Sequence, residues 1–473
     1  MHKLPVDDNG PSSNHRMARH QYATKPPNIR TMPPGIPFII GNEAAERFSF
    51  YGMRSILTIF MTQYLVTRAG APDHMSEVDA RRNFALFVSA VYFLPILGAI
   101  LAEGFLGKYR TILILSVVYC FGHFALSLDD TRMGLLLGLG LISLGSGGIK
   151  PCVSAHVGDQ FGESNKHLIS TAFGWFYFSI NAGSVISTIA CPLLLASPNF
   201  GPRWAFGLPG VAMVIATICF WAGRRRFVHI PPGGIQFVNQ FFGKEGLSAL
   251  SRLAVVYIFI AVFWSLWDQS SGGSWTLQAQ HLDLHWMRMT LLPAQVQTAN
   301  PIMILLFIPL VNYIIYPGIS RFFPLTPLRK IGIGLFLTAL SYVVIWHVQK
   351  LIDGGAKPSV NWHFLAYAIL TLGEAMVSIT GLEFSYTQAP NKMKSAVMAL
   401  WLFTVSMGNL FTAGVNYFIR NPDGSVKMND RQYFLFFSVL MFVTAVIFVV
   451  VARFYREKTY LQSQEGEEAQ LAS

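Results

Sequence analysis

Glu43, Glu46 and Arg47 stand in an otherwise apolar run from about Ile36 to Leu65. On a helix they fall at i, i+3 and i+4 and so share one face. An ionised side chain at the centre of a bilayer costs about 3 kcal/mol even on lenient insertion scales, so such groups persist where they face a protein interior and carry a function. Two titratable acids beside a fixed cation suggest a site for a proton and an anion. Lys150 raises the same question in Gly145-Ser146-Gly147-Gly148-Ile149-Lys150-Pro151-Cys152. Small residues let membrane helices approach closely, and the ammonium needs an anionic partner or a water-filled cavity. The glycines are not a phosphate loop: no strand precedes them, and Gly-x4-Gly-Lys-Ser/Thr is absent. No nucleophile–base–orienter set emerges among the Ser and Thr residues. Cys120, Cys152, Cys191 and Cys219 show neither metal-ligand spacing nor a disulfide framework. An enzyme and a metal site are therefore not expected. His123, late in an apolar segment, reads as a core histidine, and Glu103 and Glu374 read as structural.

The elements that hold these residues are membrane helices. The chain is 52% hydrophobic and 12% charged, about half the charged fraction of an average soluble domain. Apolar runs long enough to cross a bilayer recur along its length. We count twelve: 36–66, 82–104, 110–128, 133–157, 168–195, 204–222, 252–273, 293–319, 327–347, 362–389, 393–418 and 431–455. An even number puts both termini on one side, and the loop cations, above all Arg224-Arg225-Arg226, favour the cytoplasm. The net charge of +11 then follows from topology and attraction to anionic lipid rather than from nucleic-acid binding. The domain division is a disordered cytoplasmic tail over 1–35, a six-helix bundle over 36–222, a cytoplasmic linker over 223–251, a second six-helix bundle over 252–457 and a tail over 458–473. The N-terminal segment lacks the apolar core of a secretory signal.

A six-plus-six layout resembles the major facilitator superfamily, whose substrate site lies near the midplane between two rocking halves. Gly98–Glu103 followed by Gly107-Lys108 resembles that superfamily's loop between helices 2 and 3, with Glu103 where Asp is usual. A narrower resemblance is to the proton-dependent oligopeptide transporter family. It rests on Glu43-x-x-Glu46-Arg47-Phe48-x-Phe50-Tyr51-Gly52-Met53-Arg54, Gly147–Phe161, Phe176-Tyr177-x-x-Ile180-Asn181, Phe263-Trp264 through Asp268-Gln269, and Gly381-Leu382-Glu383-Phe384-Ser385-Tyr386.

The resemblance implies proton-coupled uptake of di- and tripeptides. Glu43, Glu46 and Arg47 match the proton-coupling cluster. Arg47 and Lys150 match the cations that meet the peptide carboxylate. Tyr51, Tyr92, Tyr177 and Asn181 match polar walls of the cavity, and Trp264 and Trp401 match side-chain pockets. Asn300 and Glu383 match groups that meet the peptide amine. Expected partners are di- and tripeptides, protons and lipid, with no nucleic acid, no cofactor beyond the proton gradient, and a monomeric protein in a bacterial plasma membrane. Transport of another small solute, such as nitrate, stays as the alternative. Depth along the helices, at about 1.5 Å per residue, sets Arg54 level with Asp268 near the outer side. It sets Lys150 and Glu383 near the inner side, so the two pairs are candidate gating latches. Mammalian members carry a His where this chain has Ala85, which shifts proton coupling onto Glu43, Glu46 and Asp268. The loop near 348–361 is short where mammalian members have an extracellular domain, and the linker is too short for two extra helices. A compact member is expected.

Overall fold

The computed structural model describes residues 22–234, 244–387, 394–421 and 423–455. Its first six long helices are α1 (Ile36–Gln63), α2 (Glu77–Leu106), α3 (Lys108–Leu128), α4 (Arg132–Asp159), α5 (Ile169–Ala196) and α6 (Gly201–Ala222). The second six are α7 (Lys244–Ser270), α8 (Pro293–Ser320), α9 (Pro327–Asp353), α10 (Asn361–Ser385), α11 (Lys394–Ile419) and α12 (Asp430–Phe454). Among the described residues, 11 helical segments are long and apolar enough to cross a membrane. The helix outside that set is α1, whose 28 residues have the length to cross but carry Glu43, Glu46, Arg47 and Arg54. With α1 counted, the helices follow the twelve expected runs.

Side-chain caps fix several starts. Ser76 accepts from Asp79 N ahead of α2, Thr131 from Gly134 N ahead of α4, and Asn429 with Gln432 forms a capping box on α12. Other helices are interrupted. The last turn of α2 (Leu101–Leu106), the middle of α8 (Val311–Ile315) and the middle of α10 (Ala375–Ile379) are π-helical, a widening often found at functional sites. At the end of α7 the chain bends at Gly272, φ +85°, then resumes as a short helix over Ser274–Gln278. A Cβ on Gly272 would lie 2.6 Å from the Arg54 carbonyl oxygen. The bend thus lets α7 cross α1 at close range, and Thr58 Oγ1 donates to the Gly272 carbonyl at 2.8 Å.

Within the first half, α1 packs on α5 and α6, and α3 on α4 and α6. Within the second, α9 packs on α10 and α12, and α7 on α11. Between the halves α2 lies along α11 and α5 meets α8. This pseudo-symmetric pairing leaves α1, α4, α7 and α10 to face one another across the centre. Outward faces are apolar and exposed, as in Phe121, Phe178, Leu136 and Phe442, as a lipid solvent requires.

We call the side holding residues 22–35 and Tyr455 the tail side, and the opposite side the far side. The expected disordered tail over 1–35 holds an ordered part. Residues 22–35 lie against the tail side through His229 N to Ala23 O at 2.7 Å, Ser164 Oγ to Ile29 O at 2.9 Å, and Tyr22 stacked on His229 at 4.2 Å. A proline-rich segment has few amides to satisfy, so a handful of bonds to the bundle suffices to seat it. Burial against Tyr22 and Tyr109 holds the His229 imidazole below its usual range. The expected tail over 458–473 and residues 1–21 lie outside the described residues. On the linker, α7 starts at Lys244 rather than near 252. Its first two turns are polar, which hydropathy does not register but a helix extending beyond the bilayer accommodates. On the far side a two-stranded hairpin, β1 (His285–Trp286) with β2 (Met289–Thr290), follows α7.

Candidate functional site

The α1 cluster forms as its spacing dictates. Arg47 Nε lies 2.6 Å from Glu43 Oε1 and 3.0 Å from Glu46 Oε2, and all three residues are at least nine-tenths buried. One guanidinium thus joins two carboxylates in a charge-assisted geometry. Gly183 of α5 lets α1 approach at this level, since a Cβ there would lie 2.7 Å from the Ala44 carbonyl.

Lys150 projects from α4 one residue before Pro151, which sits inside the helix. Its Nζ stands 3.9 Å from the Phe50 ring centroid and 4.1 Å from that of Tyr92. It makes no hydrogen bond or ion pair among the described residues. Two aromatic faces stabilise an ammonium by about 0.5–2 kcal/mol each. They use up none of its three donors. The charge therefore stays available to an anion.

The opposite wall comes from the second half. Asn300 on α8 donates through Nδ2 to Glu374 Oε2 at 2.7 Å and to Thr371 Oγ1 at 3.0 Å. The Trp267 indole faces the same carboxylate. Asn300 is thus joined to Glu374 and not to Glu383. The two acids lie nine residues apart on α10, about 13 Å along the axis at 1.5 Å per residue, and Glu383 is exposed. Glu374, read from sequence as structural, is the acid that Asn300 meets. The signal was there: an acid mid-helix in an apolar span, at a depth shared with Asn300. Trp264, Trp267 and Trp401 form an aromatic wall, with Trp264 ring centroids 5.5 Å from Trp267 and 6.5 Å from Trp401. On the first-half side, Tyr51 is half-buried and Tyr177 exposed, whereas Asn181 turns its amide back to the Tyr177 carbonyl at 3.0 Å.

The two expected latches differ. Arg54 and Asp268 form an ion pair with both side chains buried, and Asn409 Nδ2 donates to the other Asp268 oxygen at 2.5 Å. Lys150 and Glu383 are not paired. Further bonds join the halves on the far side: Gln63 to Gln280 at 2.6 Å, Thr298 to Thr188 at 2.9 Å, Arg81 to Asp430 at 2.7 Å, and Arg420 to Asp79. Ser89 meets Ser406 at 3.0 Å near mid-depth. These bonds between the halves lie on the far side and at mid-depth. The conformation is therefore latched on the far side. Glu103, expected to be structural, pairs with Lys108 at 3.2 Å beside Asp159 at 2.8 Å, within the first half. Among the described residues no group of His, Cys, Asp and Glu is arranged to hold a metal ion, and the four cysteines are free thiols.

The sequence model of the POT family matches residues 109–244 and 242–432, more than half of the chain. The chain belongs to the POT family. Its POT relatives include rat solute carrier family 15 member 2, 35% identical over 405 residues, which are 75% of this chain and 54% of that protein. Peptide transporter family 1 of Drosophila melanogaster is 37% identical over 359 residues, 66% of this chain and 47% of that protein. The chain spans about half the length of these curated relatives. It is also similar to the solved POT family transporter PepTSo, with a TM-score of 0.80 and 36% identity, covering 90% of this chain and 99% of that one. An auto-inhibited POT family peptide transporter gives a TM-score of 0.80 at 34% identity, covering 91% and 99%. The major facilitator fold with two six-helix halves follows from these likenesses and from the helix packing above.

Proposed function

We propose that this POT protein is a proton-coupled symporter that moves di- and tripeptides by alternating access, from the far side, taken as outside, to the tail side, taken as cytoplasm. The observation that carries this reading is an ionisable group of opposite sign on each half. Lys150, free of an ionic partner, stands beside the Arg47 cluster on one half, and Glu374, held by Asn300, stands on the other. A zwitterionic peptide matches that polarity. Its carboxylate goes to Lys150 and Arg47, and its amine goes to Glu374 with Asn300.

Coupling follows from competition for Arg47. When the peptide carboxylate takes the guanidinium, Glu43 or Glu46 loses its counter-ion in a buried site, and the neutral acid becomes the favoured form. Protonation and substrate loading then favour each other. Glu383, exposed on the tail-side part of α10, takes the role of latch partner to Lys150 when the tail side closes. Arg54 with Asp268 is the far-side latch. Clamping both peptide ends limits length, since each residue adds about 3.3–3.6 Å. The aromatic wall of Trp264, Trp267 and Trp401 accepts varied side chains. The names of the relatives agree with peptide as substrate. The protein is placed as a multi-pass monomer in a bacterial plasma membrane.

Proteoliposome uptake under an imposed pH gradient tests this, with di-, tri- and tetrapeptides, free amino acids, N-acetylated dipeptide and nitrate compared side by side. Accumulation of di- and tripeptides, abolished by acetylation, is the expected result. Accumulation of nitrate without peptide would overturn it, because a nitrate site has no use for Glu374 and Asn300.

A further inference from the structure

Basic residues gather at the tail-side end of the second half, where helix electrostatics does not ask for them. The turn from α8 into α9 holds Arg321, Arg329 and Lys330 and no acid. The first turn of α9 carries no acidic residue, although the start of a helix favours negative charge. Arg329 Nη1 donates to the Pro324 carbonyl at 2.7 Å, and its guanidinium lies 4.4 Å from the Phe323 ring centroid. Arg453, in the last turn of α12, is exposed. Neither arginine has a carboxylate partner among the described residues. Phe322 and Phe323 are exposed beside them, so apolar surface and cations stand together, as in segments that lie at a membrane interface. Topology alone accounts for cations in a tail-side loop. It does not account for the groove that they line.

Arg329 and Arg453 line one groove of about 600 Å³ between α9 and α12, with Thr326, Gly332, Phe336 and Phe448. That volume is within the range of ~300–1,000 Å³ usual for small-molecule sites. Gly332 keeps the floor open, since a Cβ there would only reach ordinary contact with Phe448 at 3.6 Å and Val449 at 3.9 Å. Phe336 also lines a second, apolar stretch of about 440 Å³ further along the same two helices, with Leu340, Val343, Leu435 and Phe442. These four side chains are exposed on the outward face. The groove is thus cationic at its tail-side end and apolar towards the centre of the bilayer. Arg329 and Leu340 are about 16 Å apart along α9 at 1.5 Å per residue, and the hydrocarbon of one leaflet is about 15 Å deep.

We propose that this groove binds one anionic phospholipid of the tail-side leaflet. Its phosphate sits between Arg329 and Arg453, and one acyl chain runs past Gly332 and Phe336 to Leu340 and Phe442. Charge complementarity selects the occupant. Two guanidinium groups without carboxylate partners suit a phosphate, which arginine meets through paired N–H groups. Basic pockets between membrane helices on the cytoplasmic side attract anionic headgroups in this way. The apolar stretch, one leaflet deep, suits an acyl chain rather than a free ion. The acidic run Glu465-Gly466-Glu467-Glu468 of this chain could match the charge but has nothing to fill the apolar part. The bound lipid bridges α9 and α12 on their outward face, so the site does not depend on which solute the central cavity takes.

The test uses the full chain in a neutral detergent, with native mass spectrometry to count retained lipids. The probes are phosphatidylglycerol, zwitterionic phosphatidylethanolamine with the same acyl chains, and glycerol 3-phosphate, which has the phosphate without the chains. Wild type should retain one phosphatidylglycerol at a concentration at least about tenfold below that needed for phosphatidylethanolamine, and should retain no glycerol phosphate there. Arg329→Gln combined with Arg453→Gln changes two exposed side chains and should raise the half-saturating phosphatidylglycerol concentration at least about tenfold. Gly332→Leu keeps both cations, fills the floor and should raise it about fivefold. Arg224→Gln combined with Arg225→Gln, in the first half, should leave it unchanged. Equal retention of the two lipids by wild type overturns the site. So does an equal loss in the Arg224 and Arg225 pair, which marks diffuse attraction to net charge. Glycerol phosphate held as tightly as lipid would leave a phosphate-ion site only. Selective retention that appears only after residues 459–473 are removed would make the acidic tail the occupant and overturn the lipid.

Discussion

The two walls of the candidate site are built on opposite electrostatic plans. The first half gathers ions: Glu43, Glu46 and Arg47 share bonds of 2.6 and 3.0 Å on α1, with the Lys150 ammonium on α4 held, among the described residues, by two aromatic faces. The second half offers Glu374, fixed by a neutral amide and within reach of an indole. Ion clusters can exchange partners, because an arriving charge substitutes for a departing one. A carboxylate held by neutral donors has no such exchange and simply presents its charge. Under the proposed function, this difference would give proton traffic to the first half and amine recognition to the second.

The largest expected effect contrasts these walls. Glu46→Gln should abolish gradient-driven accumulation, by 100-fold or more, while counterflow persists. Glu374→Gln should weaken both assays alike through a raised KM. A hydrogen bond to a charged group contributes about 1.5–3 kcal/mol, which corresponds to a loss of roughly 10- to 150-fold. Kinetics of both assays on both variants check this. Loss of driven uptake alone in Glu374→Gln would move proton traffic to the second half and end the contrast.

Next comes stability. Removing one partner of a buried ion pair costs about 3–5 kcal/mol, because a charge is left uncompensated. Arg47→Ala strands two carboxylates and should lower the unfolding temperature clearly. Lys150→Ala strands none, since no described group pairs with it. It should leave unfolding near wild type while abolishing concentrative uptake. Thermal unfolding in detergent, read beside uptake, separates the two. An equal drop in both variants would show Lys150 to be a structural cation.

The smallest effect concerns the far-side latch. Arg54→Ala or Asp268→Ala alone should impair transport, and the charge-swapped double mutant should recover part of it. Recovery will be incomplete, because Asn409 Nδ2 donates to Asp268 and must turn its amide to accept from the longer arginine. Cysteines at positions 54 and 268 should cross-link in inward-open protein and not in outward-open protein. State-independent cross-linking would remove this pair from the gate.

Much of the arrangement was legible in the chain because membrane burial is unforgiving. Few sequences tolerate Glu43, Glu46 and Arg47 in one span, so their presence announced a site, and helical spacing alone put them on one face. Hydropathy located the spans because lipid demands continuous apolar length. It failed at the polar start of α7, where the helix runs past the apolar stretch. Arg54 and Asp268 met as their estimated depths required, since rise per residue converts position into height.

What the sequence by itself determined, then, was relative depth and helical face, both set by local geometry and the cost of charge in hydrocarbon. Tertiary structure alone decided which residues meet across helices. It joined Asn300 to Glu374 rather than Glu383, because rotation about a helix axis and the π-turn in α10 are not written in hydropathy. It left Lys150 over Phe50 and Tyr92, and it linked His123, which sequence reading placed in the core, to Ser49 of α1. It also chose the latched side. The sequence offers two candidate latches, and the structure forms the Arg54–Asp268 pair and not the Lys150–Glu383 pair, because which residues meet between two rocking halves depends on the conformation.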